Sequence, residues 1–139
     1  MNALVPPNSF RALFSVLVIL YTVASFIHFV HNAEFLAEYP NLPAWLGRAH
    51  VYLAWLLVFS VGLGGCFALG LGLVKPGLLL LAVYAAFGLA GLDHYWAAPV
   101  SAHTLGMNLT IGFEVIAALA LLFYICCAFL RPSRATGNS

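Results

Sequence analysis

Four long apolar runs, separated by short stretches of proline, charge and polar residues, limit what this chain can fold into more than any other feature. A helix needs about 20 mostly apolar residues to cross a bilayer. The runs at residues 12–33, 44–74, 77–96 and 102–130 all reach that length. Pro6-Pro7-Asn8-Ser9 reads as a helix start before the first run, Lys75-Pro76 as the stop after the second, and Ser101 as the N-cap of the fourth. Membrane-spanning strands would alternate apolar and polar residues over about ten positions, a pattern the sequence lacks. The expectation is an all-α integral membrane four-helix bundle, one domain over residues 1–139. Because the links between runs are short, neighbouring helices should pack antiparallel, up-down-up-down.

Composition closes off the soluble alternatives. Hydrophobic residues make up 64% of the 139 and charged residues 6%, with a mean hydropathy of +1.03, whereas a soluble domain carries about 25% charge. That balance excludes a cytosolic enzyme and a disordered tail. Five Lys and Arg at a net charge of +1 supply no basic patch for nucleic acid. Three cysteines without paired spacing give neither a disulfide framework nor a thiol redox motif. The first run continues through Phe26-Ile27, past the roughly 7–15 residues of a signal-peptide core, and so reads as a retained span.

Arg11, Lys75, Arg131 and Arg134 fall on one side of a four-span topology and Arg48 on the other. The positive-inside rule then puts both termini in the cytoplasm, as for a bacterial-type inner membrane protein. In that orientation His28, His31, Glu34, Glu38, His50, Asp93, His94 and His103 gather on the non-cytoplasmic side, although they are distant in sequence. Glu38 reads as a solvated loop charge. Trp45, Trp55, Trp96, Tyr39, Tyr95 and His50 read as an interfacial belt. Ala54, Gly62, Cys66 and Gly70, at multiples of four residues, read as a face for close helix approach.

Glu114 stands apart. His103, Met107, Thr110 and Glu114 are spaced four, three and four residues apart. At about 100° per residue they keep within roughly 40° of one stripe, and Glu114 lies about 16 Å deeper than His103. A charge near the bilayer centre costs roughly 2.5–3.5 kcal/mol, so Glu114 should face the bundle interior and have a partner there. His28 and His31 are one turn apart, with Tyr21 on the His28 face two turns deeper. Asp93 and His94 point about 100° apart, so one should enter a central site while the other acts from behind it.

These residues admit three functional readings. In the first, His28, His31, Glu34, His94 and His103 ligate a transition metal; imidazole and carboxylate suit Zn, Fe, Mn or Cu(II), with haem as a variant. That site would serve a small lipophilic or redox-active substrate. The second is metal-free, isomerase-type acid–base catalysis on a lipophilic substrate by Glu114, with Asp93, His28 or His94 as the opposing partner. The third is not an enzyme but a transporter subunit, proton relay or assembly factor, and a pore would then require an oligomer. The metal reading comes first, and the lipid bilayer is a partner in all three.

Overall fold

Residues 8–130 are described in this computed structural model. Pro6-Pro7 and the basic residues Arg131 and Arg134 lie outside them. The described chain is all-helical: α1 (Asn8–Glu34), α2 (Arg48–Gly70), α3 (Val74–Phe87), α4 (Asp93–Ala97) and α5 (Leu105–Leu130). A 3₁₀ stretch, Gly88–Leu92, joins α3 to α4, so the third helical path runs Val74–Ala97. Four helices are thus long and apolar enough to cross a membrane.

Several boundaries differ from expectation, each for a local reason. The second helix stops at Gly70 rather than 74, because Gly72 adopts φ +78° and closes a Schellman turn. In it the Leu73 N–H reaches Ala68 O at 2.9 Å and the Gly72 N–H reaches Leu69 O at 3.0 Å. Pro76 therefore does not stop α2; it sits in the first turn of α3, where a missing N–H costs little. The same α2 begins at Arg48 rather than 44, with the Gly47 N–H donating to His50 Nδ1 at 3.0 Å. The last helix begins at Leu105, since Val100–Ala102 forms a separate 3₁₀ turn. Thr104, not Ser101, caps it: its Oγ1 accepts the Met107 N–H at 3.3 Å.

The core follows helical stripes. Tyr21, Ala24, Ser25 and His28 are buried along α1, and Met107, Ile111, Glu114, Ala117, Ala118 and Leu121 along α5. Phe14, early in α1, stacks on Tyr124, late in α5, while His28, late in α1, meets Thr110, early in α5. The expected small-residue face of α2 is offset: Val51, Gly62, Gly65 and Ala68 are buried, whereas Cys66 is exposed and Gly70 has open space beside it. A methyl at Gly65 would lie 3.1 Å from Gly77 O, so α2 and α3 approach backbone to backbone there.

The 3₁₀ stretch decides which residues of the third helical path face the core. In a 3₁₀ helix residues i and i+3 eclipse, which aligns Gly88, Gly91 and His94 on one face. Gly88 and Gly91 are buried, against Tyr21 and Glu114 respectively. His94 is half-buried behind them, and Asp93 turns outward and is exposed.

Candidate functional site

His28 and Glu114 are 2% and 1% exposed, with His28 Nε2 3.6 Å from Glu114 Oε2. α1 delivers the imidazole and α5 the carboxyl, and the missing side chain at Gly91 lets the third helical path come within contact distance of Glu114 Oε2. Thr110 donates its hydroxyl proton to Met107 O at 3.1 Å, so its oxygen accepts from His28 Nδ1–H at 3.4 Å. That assigns the imidazole proton to Nδ1 and aims the Nε2 lone pair at Glu114 and Asn32.

Asn32 links the first histidine to the next. Its Nδ2 is 3.1 Å from His28 Nε2 and 3.3 Å from His94 Nε2. The rings of His28 and His94 are 5.4 Å apart, centroid to centroid, and those of His94 and His103 are 6.2 Å apart. His103 is 7% exposed and donates Nδ1–H to Pro99 O at 3.0 Å. Its Nε2 and Asn32 Oδ1 are buried without a protein partner, while the buried Ser25 hydroxyl interacts with the Glu114 carboxyl and Tyr21. An unpaired buried polar atom costs about 1–3 kcal/mol. Several gather along one polar row, each with capacity for a further hydrogen bond.

The sequence-derived candidates divide accordingly. Glu114, His28, His94 and His103 share this row. His31 stands one step off it, half-buried, its Nδ1 paired with the Tyr39 hydroxyl at 2.9 Å. Glu34 is not part of it: its Oε1 accepts from Arg48 and, at 2.6 Å, from the Tyr52 hydroxyl, tying α1 to α2 at the surface. Asp93, expected as a partner of Glu114, is exposed. His50 is exposed and caps α2. Among the described residues no three His, Cys, Asp or Glu side chains converge as the ligands of one metal ion. The five expected ligands are split between the row, the Tyr39 contact and a surface ion pair.

Three contributors escaped the sequence reading. Asn32 is four residues from His28 and Ser25 three, spacings that put all three on one helical face. Tyr39 had no such signal. Read as a belt residue, it is only 4% exposed, and its ring lies 4.9 Å from that of His94. Burial pushes its phenol up to about 12, so it stays a neutral donor at ordinary pH. Trp45 and Trp96, by contrast, are 71% and 88% exposed.

No family model, no curated protein and no solved structure matches the chain.

Proposed function

We propose that this is an integral membrane protein in which Glu114 and His28 act as an acid–base pair on a lipophilic substrate. In this reading the four helices run up-down-up-down in a bacterial-type inner membrane, with both termini cytoplasmic. The surface supports the bilayer: Leu105, Phe123, Phe67 and Ile116 are each more than two-thirds exposed, and soluble monomers avoid apolar patches beyond a few hundred Å². Arg11 and Lys75 at one end and Arg48 at the other carry the orientation within the described residues.

The acid–base reading rests on the 3.6 Å approach of His28 Nε2 to Glu114 Oε2 in an interior closed to water. At that separation the two groups do not hydrogen-bond directly, and acid–base partners commonly tighten only around substrate. One member of the pair takes a proton from a substrate carbon, the electron pair moves to shift a double bond, and a proton returns at another carbon. Such an isomerisation balances without oxidant or reductant. Thr110 and Asn32 hold the imidazole, and the buried Met107 and Ile111 supply apolar wall. The metal reading has less support, because His31 and Glu34 are engaged elsewhere.

The test is substrate-blind. Purified protein in lipid discs, supplied with a lipid extract of its host membrane in heavy water, should place non-exchangeable deuterium in a lipophilic species detected by mass spectrometry. Glu114→Gln should lower that incorporation by about 10²–10⁴-fold with helicity unchanged. Equal incorporation by the variant, or none by the native protein, overturns the reading. Stoichiometric metal that disappears on replacing His94 or His103 favours the metal site instead.

A further inference from the structure

We propose that the segment between α1 and α2, residues 35–47, is a lid over the histidine row, with Tyr39 as its stopper and Asn41 as its latch. The segment is a 3₁₀ turn, Leu36–Glu38, followed by irregular chain up to Arg48. Its outward residues Ala37, Glu38, Pro43, Ala44 and Trp45 are exposed, and Tyr39 alone among residues 35–47 is buried. The Tyr39 ring lies 4.9 Å from that of His94, and its hydroxyl is held by His31 Nδ1 at 2.9 Å. One side chain therefore covers His94 and ties the segment to α1 through His31 and to α5 through Thr110.

Two residues on, Asn41 adopts φ +58°, a left-handed conformation that asparagine tolerates better than most residues. This turn aims its side chain at the end of the third helical path, where Nδ2 donates to Ala97 O at 2.9 Å. Asn41 is itself exposed, so water competes for that bond and the latch holds weakly. An open cleft of about 420 Å³ indents the segment itself, lined by its own residues from Leu36 to Leu46 and by none of the helices. A strap fastened at one ring and one exposed amide can lift without disturbing the helices at its ends. Opening it uncovers His94 first, the next member of the row after His28.

The lid concerns the site of the acid–base reading, but its test reads access rather than turnover, so either can fail alone. Diethyl pyrocarbonate acylates accessible imidazoles, and peptide mass mapping gives a rate for each histidine. Exposed His50 serves as the internal reference. In the native protein in lipid discs His94 should react at least tenfold more slowly than His50, yet reach completion. Asn41→Asp keeps a residue that tolerates positive φ but removes the donor, and Tyr39→Ala removes the stopper; each should bring the His94 rate within about threefold of His50. The proposal is overturned if native His94 reacts as fast as His50, if it never reacts, or if Asn41→Asp leaves the ratio unchanged. Asn41 is at the surface, so the test stands even where Tyr39→Ala fails to fold.

Discussion

Glycine at positions 88 and 91 decides how closely the third helical path approaches the buried carboxyl. A methyl at Gly88 would lie 2.6 Å from Tyr21 Cε2 and 2.8 Å from Ala118 Cβ, closer than packed atoms come. Gly88→Ala is therefore expected to lower stability by about 1–3 kcal/mol, as overpacking does, measured by thermal unfolding in detergent. At Gly91 the nearest atom is Glu114 Oε2 at 3.4 Å, an ordinary contact. Gly91→Ala should fold with a melting temperature close to native; under the proposed acid–base reading, deuterium incorporation should fall because the methyl takes up the space beside Glu114 Oε2. A large loss of stability at Gly91, or none at Gly88, would contradict the packing described. The pair separates two roles that look identical in the sequence.

Among the elements, α5 carries the most site geometry: Thr110 orients His28, Glu114 faces it, and His103 stands just before the helix. Its start is fixed by Thr104, whose Oγ1 takes the Met107 N–H. Loss of such a cap costs typically about 1 kcal/mol, so Thr104→Ala should lower the unfolding midpoint while Ser101→Ala leaves it unchanged. Equal effects at the two positions would return the cap to Ser101. The third helical path shows why an ideal helix misleads. Its Gly88–Leu92 segment winds as 3₁₀, at about 120° per residue instead of 100°. The tighter winding presents His94 inward and leaves Asp93 in the open.

Over the whole molecule, the histidine row sits at one end of the bundle and the described cysteines lie away from it, exposed or half-buried. Only 17–33% of an apolar 18-residue window in each of the four long helices is buried, the low burial that the proposed membrane reading expects. The proposed orientation puts Glu38 and Lys75 on opposite faces of the membrane. Single cysteines introduced at Glu38→Cys and Lys75→Cys, in a background lacking Cys66, Cys126 and Cys127, should react differently with a membrane-impermeant maleimide added to intact cells. Labelling at position 38 and protection at 75 is the expected result, and the reverse inverts the topology.

The four apolar helices were legible in the sequence, because a run of some 20 apolar residues has few other folds open to it. The inward stripe of Met107, Thr110 and Glu114 was legible for a similar reason: helical periodicity within one element needs no knowledge of its neighbours. Which distant groups meet was not. Glu34 and Asp93 looked equivalent to His94 and His103 as polar groups on one side of the membrane, above the deeper Glu114, yet an ion pair with Arg48 engages one and a 3₁₀ winding leaves the other exposed. Tyr39, read as a belt residue, is instead buried against His94, a contact no local pattern announces. Local sequence settles where a side chain points on its own helix, whereas only the packed structure settles what stands opposite it.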